Sequence, residues 1–204
     1  MSDPEGTPRS RDSERASDPW LNEHTDLLTA GMTVLELGCG NGDDCADLVG
    51  YGIDVVAFDR FVASLRRARR QAPGIRIVRG DMRRPLPFRD EQFDAVVASL
   101  SIHYFDWATS AAIIAEVGRV IRPGGWFISR VNSVGDVNFE YGQGIEIEPD
   151  FFEVRPGFYK RFFSEAALRK LLEPEFAVDS IVPRVSMRWK KEKQTLVARA
   201  QRRA

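Results

Sequence analysis

Apolar residues along the chain fall into short continuous runs that alternate with segments of helical spacing. Seven runs of four to seven residues predict strands at 32–37, 53–58, 75–78, 93–99, 126–131, 176–182 and 194–198. Apolar residues three and four apart predict helices at 43–49, 61–71, 109–121 and 164–172. An N-terminal helix is predicted to start with Asp18 and Pro19 and to end before Gly31. Because strand–helix alternation implies right-handed crossovers, the pattern predicts an α/β fold: a doubly wound, mostly parallel seven-stranded sheet with helices on both faces.

Three stretches depart from this alternation. The last two predicted strands have no helix between them, which predicts an antiparallel hairpin at one edge of the sheet. Arg122, Pro123 and two glycines end the preceding helix and predict a turn into the fifth strand. Residues 132–163 contain scattered glycines and aromatic residues with neither period. We expect this stretch to be a long loop that serves as a lid over a ligand.

The bulk composition predicts one soluble domain. The 204 residues are 43% hydrophobic and 29% charged, with a formal net charge of −1. This balance gives no overall field that would attract nucleic acid or an anionic membrane. Residues 1–18 are almost entirely polar and are expected to be a disordered tail, which leaves 19–204 as a single domain.

Cysteine content and hydropathy bear on the compartment. Cys39 and Cys45 are the two cysteines, and they give no disulfide framework. No apolar run approaches the ~20 residues that span a bilayer, and the N-terminus lacks the apolar segment of a signal peptide. These features predict a cytoplasmic protein without a membrane partner.

The first predicted strand runs into a glycine-rich turn that predicts a ligand site. Gly38, Gly40 and Gly42 stand at every second position, which allows a tight turn and close approach of the backbone to a ligand. A dinucleotide fingerprint requires a further glycine where Asp43 stands. Glu36 lies two residues before the first glycine, and a carboxylate aimed into the turn would repel a pyrophosphate but suit a cationic ligand.

The other strand tips carry residues suited to a nucleoside. In a doubly wound sheet, ligands bind at the carboxyl ends of the strands, beside the point where strand order reverses. Asp59 follows the second strand at the spacing of an acid that binds ribose hydroxyls. Asp81 and Met82 follow the third strand, where Asp81 is either a ligand contact or a turn residue after Gly80.

Four motifs in order resemble the class I S-adenosylmethionine-dependent methyltransferases. They are the segments at 34–42 (VLELGCGNG), 80–82 (GDM), 93–99 (FDAVVAS) and 119–125 (RVIRPGG). The resemblance runs from about Trp20 to Ala198, and the chain looks most like the small stand-alone bacterial enzymes related to the tellurite-resistance methyltransferases. It implies S-adenosyl-L-methionine as cofactor and direct displacement of the methyl group onto a nucleophile. It also implies that Asp81 accepts from the adenine amino group and that Met82 packs on the ring.

The resemblance and the strand tips together assign candidate roles to named residues. The predicted cofactor-binding residues are Trp20, Glu36, Gly38, Cys39, Gly40, Asn41, Gly42, Asp59, Arg60, Asp81, Met82, Ser99 and Leu100. His103 is the candidate general base, with Tyr104 beside it, although His103 has the alternative of only hydrogen-bonding the loop. The predicted substrate residues are Arg130, Asn132, Tyr141 and Tyr159. No metal is expected, because the acidic ligand of the metal-dependent catechol methyltransferases is missing.

Alternatives remain open at this point. Trp20 is interpreted first as a packing residue, and His24 as a surface residue. A dinucleotide-dependent oxidoreductase on a related sheet is one rival, and a non-catalytic S-adenosylmethionine-binding protein is another. The expected acceptor is a small molecule methylated on oxygen, nitrogen or sulfur, and nucleic acid is not an expected partner. The basic segment from Arg188 to Arg203 leaves open a protein or RNA contact, and the chain is a monomer or a homodimer.

Overall fold

The computed structural model describes residues 20–188 and 191–203. Its strands, in chain order, are β1 Thr33–Leu37, β2 Asp54–Asp59, β3 Arg76–Arg79, β4 Phe93–Ser99, β5 Ile121–Asn132, β6 Ile145–Glu148, β7 Phe151–Arg155, β8 Phe158–Arg161, β9 Phe176–Arg188 and β10 Lys191–Arg202. Its α-helices are α1 Asp43–Gly50, α2 Val62–Gln71, α3 Trp107–Val120 and α4 Glu165–Leu172. None of the helices in the described ranges is long and apolar enough to cross a bilayer.

Seven of the strands form one sheet in the order β3-β2-β1-β4-β5-β10-β9. Neighbours from β3 to β5 are parallel, whereas β10 runs antiparallel to both β5 and β9. The predicted mostly parallel sheet and its antiparallel edge pair are therefore confirmed. Strand order reverses between β1 and β4, and this point is where a doubly wound sheet binds its ligand.

The central strands are buried because helices cover both faces of the sheet. Val34, Leu35 and Leu37 of β1 are fully buried, as are residues 95–98 of β4. Strands covered on both faces need continuous apolar runs, which is the pattern that identified them. One face packs against α3 and α4 through residues such as Phe127, and the other packs against α1 and α2.

Two predicted N-terminal features change in the structure. A short 3-10 helix, Trp20–His24, replaces the longer predicted helix, while Asp18, Pro19 and the predicted disordered tail lie outside the described residues. Trp20 is fully buried, so the packing interpretation is confirmed. His24 is 3% exposed, so the interpretation as a surface residue is wrong. Its ring packs edge-on to Trp20 at a centroid distance of 5.6 Å.

The Pro-Gly-Gly segment is a bulge within β5 and not a separate turn. Phe93 pairs with Ile121, and the next pairing joins Ala95 to Trp126, so the intervening residues of β5 loop out of the ladder. Gly124 within this bulge has a φ of 75°, in the left-handed region that glycine adopts without strain.

Residues 132–163 are ordered, which corrects the expectation of an irregular loop. A 3-10 turn, Val137–Phe139, is followed by an antiparallel sheet in the order β6-β7-β8. Arg161 anchors the small sheet to the main body, because its Nε donates to the Phe105 carbonyl at 3.2 Å. Within the small sheet, its guanidinium forms an ion pair with Glu148. β7 and β8 lack the strict alternation that identifies a strand, and this is why the pattern missed them.

Candidate active site

The three glycines after β1 are required for two different structural reasons. Gly38, Gly40 and Gly42 all have positive φ, at 83°, 53° and 88°. A Cβ atom on Gly38 would lie 2.4 Å from Cβ of Ser101, and one on Gly42 would lie 2.5 Å from Cα of Ala68. At Gly40 there is no atom within 4 Å of that position. The turn is therefore closely packed at its two ends and open at its middle glycine.

The tip of β2 is joined directly to this turn. The Gly40 amide donates to Oδ2 of Asp59 at 3.0 Å, and the Phe61 amide donates to Oδ1 at 2.8 Å. Asp59 is 8% exposed. The carboxylate is thus fixed beside the open glycine by backbone donors, and its remaining lone pairs are available to ligand hydroxyls.

Glu36 is buried and does not present its charge at the strand tip as the sequence argument expected. The residue is 3% exposed, and the Cys45 thiol of α1 donates to its Oε2. Burial, followed by the nearby Asp44 charge, raises the pKa of the Glu36 carboxyl well above its ordinary value. Glu36 therefore packs under α1 in surroundings that favour the protonated carboxyl. Its part in ligand binding stays a prediction.

Asp44 at the start of α1 is a buried carboxylate that the sequence analysis missed. Its Oδ1 accepts from Nε1 of Trp20 at 2.9 Å. Nη2 of Arg130 donates to Oγ of Ser99 at 2.8 Å, and the same guanidinium lies 4.8 Å from the Trp20 ring centroid. Burial raises the pKa of Asp44, and the Arg130 charge, the largest opposing effect, lowers it. The four side chains form one cluster that joins α1, β4 and β5.

The sequence analysis gave Asp44 no role in the site. Two acids follow the glycine turn, and Asp44 is the second of them. A tryptophan and an arginine elsewhere in the chain that could bind this acid are the sequence signal for its role. Trp20 and Ser99, predicted as cofactor residues, and Arg130, predicted as a substrate residue, are brought together by this acid.

The tip of β4 is tied to the tip of β1. Oγ of Ser101 donates to the Leu37 carbonyl at 2.7 Å, and the Leu100 amide donates to the Arg130 carbonyl at 2.7 Å. Leu100 has a φ of 51°, which is uncommon for a residue with a branched side chain. Such backbone conformations concentrate at functional sites, where neighbouring contacts hold them in place.

Asp81 has the turn role that the sequence left open. The Arg83 amide donates to Oδ1 at 3.1 Å, and Nε of Arg83 lies 3.0 Å from both carboxylate oxygens. These hydrogen bonds lower the pKa of Asp81 to about 2. Met82 lies under the turn, with Cε 3.3 Å from the position of a Gly38 Cβ. The predicted contacts of both residues with adenine stay predictions.

Three other predicted cofactor residues lie around the turn. Cys39 is 5% exposed, and its amide donates to the Phe58 carbonyl at 3.1 Å. Asn41 is partly buried between the second and third glycines. Arg60 is exposed, with its guanidinium carbon 4.7 Å from the Phe61 ring centroid.

His103 and Tyr104 lie together beyond β4. Their ring centroids are 4.2 Å apart, with His103 2% exposed and Tyr104 40% exposed. Nδ1 of His103 has no hydrogen-bond partner within the described ranges. Burial, then the charges of Lys193 and Lys160, lowers the pKa of His103 well below its ordinary value. The imidazole is therefore held neutral, the form that accepts a proton.

Asn132 belongs to a second buried polar cluster, at the end of β5. Nζ of Lys193 donates to Oδ1 of Asn132 at 2.9 Å and to Oδ2 of Asp136 at 2.6 Å. Nδ2 of Asn132 is buried and has no partner among the residues that the structure describes. Lys193 was interpreted only as part of a basic C-terminal segment, but it lies in β10 and is 6% exposed.

A cleft of about 540 Å³ opens beside these two clusters. It lies between the residues after β4, the 3-10 turn at 137–139, β8 and the start of β10. Its lining is aromatic and charged: Tyr104, Asn138, Phe139, Glu140, Gln143, Arg155, Phe158, Lys160 and Lys191. Tyr104 and Phe158 meet across it with ring centroids 5.7 Å apart.

Tyr141 and Tyr159, predicted to contact the substrate, lie outside the lining of this cleft. The Tyr141 hydroxyl donates to Asp150 at 3.2 Å, and its ring packs on Phe162 at 5.3 Å. Tyr159 stacks on Phe151 at 5.7 Å. Because side chains alternate along β8, Tyr159 faces the opposite side from Phe158. Their assignment to the acceptor stays a prediction that the cleft does not support.

No group of three or more histidine, cysteine, aspartate or glutamate side chains in 20–188 and 191–203 is placed to hold a metal ion.

The family comparison agrees with the site. A family model described as a methyltransferase domain matches residues 34–125, which run from β1 through the glycine turn to the bulge of β5. Residues 34–125 therefore match the methyltransferase-domain family, while β9, β10 and the second half of β5 lie outside the matched range.

Named relatives extend the comparison. A demethylmenaquinone methyltransferase of Beutenbergia cavernae is 38% identical over 108 residues, which is 52% of this chain and 44% of that protein. The chain spans less than half the length of the first curated relatives that it matches. The narrower resemblance to tellurite-resistance methyltransferases stays a prediction.

Two solved structures share the fold of the methyltransferase domain and its flanking strands. An S-adenosylmethionine-dependent methyltransferase of Methanosarcina mazei has a TM-score of 0.78 at 22% identity, covering 89% of this chain and 97% of the other. The 1,6-didemethyltoxoflavin-N1-methyltransferase of Burkholderia thailandensis, solved with that compound and S-adenosylhomocysteine, has a TM-score of 0.72 at 22% identity. That match covers 94% of this chain and 80% of the other.

Proposed function

We propose that the protein transfers a methyl group from S-adenosylmethionine to a nucleophilic atom of a small molecule. The observation that carries the proposal is the Asp59 carboxylate fixed 3.0 Å from the Gly40 amide at the reversal point of the sheet. An open glycine beside a carboxylate suits a ribose, and it offers no cation for a pyrophosphate.

The buried cluster around Asp44 suits the amino-acid end of the cofactor. That end carries an ammonium and a carboxylate, and Asp44 and Arg130 offer one charge of each sign. We infer that Asp44 takes the electrostatic role that the sequence analysis gave to Glu36. Trp20 and Ser99 hold the two groups in place through hydrogen bonds and ring contact.

Positioning accounts for most of the proposed catalysis. When bound, S-adenosylmethionine supplies an electrophilic methyl group on a sulfonium leaving group. The chain aligns the nucleophile with that methyl group and excludes water, which contributes roughly 7–11 kcal/mol in model systems. His103, neutral and beside Tyr104, is the proposed acceptor of the proton that the nucleophile releases. Its orphaned Nδ1 is the atom that would take it.

A small-molecule acceptor agrees with the named relatives and with the cleft. The Burkholderia structure contains a small-molecule substrate, and the Beutenbergia relative is named for a quinone precursor. The cleft of about 540 Å³ has the size of a small-molecule site. The methylated atom of the acceptor is an oxygen, a nitrogen or a sulfur.

Calorimetric titration with S-adenosylhomocysteine and with NADH tests the proposal. We expect saturable binding of S-adenosylhomocysteine and none of NADH, and the reverse would favour the dinucleotide oxidoreductase. Single-turnover transfer of a labelled methyl group from S-adenosylmethionine to a small-molecule extract then separates an enzyme from a pure binder. Binding of the cofactor without transfer to any fraction would identify the non-catalytic alternative.

A further inference from the structure

We propose that the methyl acceptor is an aromatic anion, held by Arg155 and Lys191 in the cleft that Tyr104 and Phe158 line. This inference rests on the proposed function, because it names the substrate class of the same site. It is carried by three features of the cleft: its aromatic walls, its uncompensated positive charge and the unpaired polar atoms behind its lining.

The walls of the cleft are suited to a flat ring. Tyr104 and Phe158 are inclined at 60° with their centroids 5.7 Å apart, and Phe139 contributes a third ring. Edge and face contacts between aromatic rings are worth more than their buried area alone. A planar ligand inserted among these rings replaces water with such contacts, and an aliphatic ligand gains less.

The charge of the lining is positive. It has three cationic side chains, Arg155, Lys160 and Lys191, and one carboxylate, Glu140. Glu140 is already bound to Nζ of Lys160. Within the ranges that the structure describes, Arg155 and Lys191 have no carboxylate partner. Two cations are thus left to attract a ligand of negative charge, and a cationic ligand would meet no available acid.

Arg155 also joins the charge to the aromatic wall. Its guanidinium carbon lies 4.3 Å from the Phe158 ring centroid, which holds the cation at the rim. A guanidinium in this position binds a carboxylate or phenolate oxygen through two parallel N–H groups. The anion is therefore expected at the outer end of the ligand, with its ring packed against Phe158 and Tyr104.

Two polar atoms that lack partners lie behind the lining of the cleft. Nδ1 of His103 and Nδ2 of Asn132 are both buried and unpaired in the described part of the chain. His103 lies directly behind the lining, stacked on Tyr104. Asn132 lies one residue deeper, because it binds Lys193, whose Nζ is 4.7 Å from the Phe139 ring centroid. Buried orphaned atoms are rare, and a ligand hydroxyl directed inward would satisfy them. The nucleophile of the acceptor is thus expected at the end opposite its anionic group.

Three bicyclic phenols of matched shape test the inference on the full chain. 6-Hydroxy-2-naphthoate is anionic, its amide is neutral, and 6-(aminomethyl)-2-naphthol is cationic. Each is titrated by its fluorescence against the protein, with and without saturating S-adenosylhomocysteine. We expect the anion to bind at least about tenfold more tightly than the amide, and the cation to bind most weakly.

Charge-removing variants locate the effect. We expect the double variant Arg155→Gln/Lys191→Gln to lose about tenfold in affinity for the anion and to bind the amide unchanged. The matched control is Arg66→Gln/Arg69→Gln, which removes two charges from a different groove formed by α2 and β3. Calorimetry with S-adenosylhomocysteine confirms that each variant retains its fold.

The possible outcomes distinguish failure of this inference from failure of the proposed function. If S-adenosylhomocysteine binds but anion and amide bind equally, or the double variant keeps the preference, the aromatic-anion assignment is overturned and methyl transfer stands. If the anion is preferred but S-adenosylhomocysteine never binds, the proposed function fails and the cleft loses its acceptor role. Cofactor binding together with a preference lost only in the double variant supports both.

Discussion

The amide of Gly40 donates to the carboxylate of Asp59 at 3.0 Å, and so joins the tips of two neighbouring parallel strands. The two residues are 19 positions apart in the chain, yet their contact sets the spacing of the proposed ribose site. A cofactor that binds here meets a carboxylate that backbone groups have already oriented.

Asp59→Ala is expected to weaken S-adenosylhomocysteine binding while the protein stays folded. Loss of hydrogen bonds to a charged group costs about 1.5–3 kcal/mol, or roughly 10- to 150-fold in affinity. Calorimetry measures the change. Asp54→Ala is the matched control, because Asp54 lies at the exposed start of the same strand. An Asp59 variant with wild-type affinity would contradict the ribose assignment.

Gly38→Ala is expected to destabilise the protein more than Gly40→Ala. Both residues have positive φ, which costs a side chain roughly 1–2 kcal/mol. Only at Gly38 would the new Cβ collide with another atom, Cβ of Ser101 at 2.4 Å, which adds an overpacking cost of about 1–3 kcal/mol. Urea denaturation compares the two variants with Gly74→Ala, a positive-φ site with open space. Equal losses at all three sites would show that the collision has no consequence.

Glu36 is expected to make the folded state less stable as pH rises. Burial raises its folded pKa, so above its ordinary value of about 4.5 the unfolded chain releases a proton that the folded chain retains. The unfolding free energy therefore falls with pH, by at most about 1.4 kcal/mol per pH unit, until the folded pKa is passed. Glu36→Gln removes this dependence. Urea denaturation between pH 4.5 and 8 measures both slopes, and parallel curves would contradict the prediction.

His103→Gln is expected to lower kcat by about 10²-fold and to leave S-adenosylhomocysteine affinity unchanged. The loss is the contribution of a general base in the transition state. The chain has one other histidine, His24, which is also buried, so His24→Gln is a control of the same type. Methyl-transfer rates with a saturating acceptor measure both. An unchanged kcat in His103→Gln would assign His103 to loop packing alone.

Lys193→Met is expected to cost about 3–5 kcal/mol of stability, because it leaves the buried carboxylate of Asp136 without its cation. Replacing both partners, Lys193→Met with Asp136→Leu, is expected to recover most of that loss. Thermal and urea unfolding measure each variant. If the double variant were as unstable as the single one, packing and not charge would explain the loss.

The sequence predicts the main sheet well because its central strands are buried on both faces. β4 is predicted at its observed bounds, β1 differs by one residue at its start, and β2 differs by one residue at each end. A strand that is buried on both faces appears in the sequence as a continuous apolar run. The bulge at Gly124 was missed because it interrupts the ladder within a strand, and a local pattern cannot separate a bulge from a turn.

The site was predicted less completely, since its acids differ in what surrounds them. Asp59 was identified from spacing, and the structure places it at the glycine turn. Glu36 was identified from the same logic, but the neighbouring helix covers it. Asp44 and Lys193 were missed because their partners, Trp20 and Asp136, come from distant parts of the chain. Long-range pairing of this kind leaves no local period.

The cleft takes all of its lining except Tyr104 from the chain after residue 137, whereas the glycine turn and Asp59 lie before residue 60. Under the proposed function, the ribose contact and most of the acceptor contacts are consequently encoded in separate stretches of the gene. Substitutions in the later stretch can therefore change the acceptor without changing the ribose contact. Natural variation and directed mutagenesis can both act on acceptor choice through this stretch.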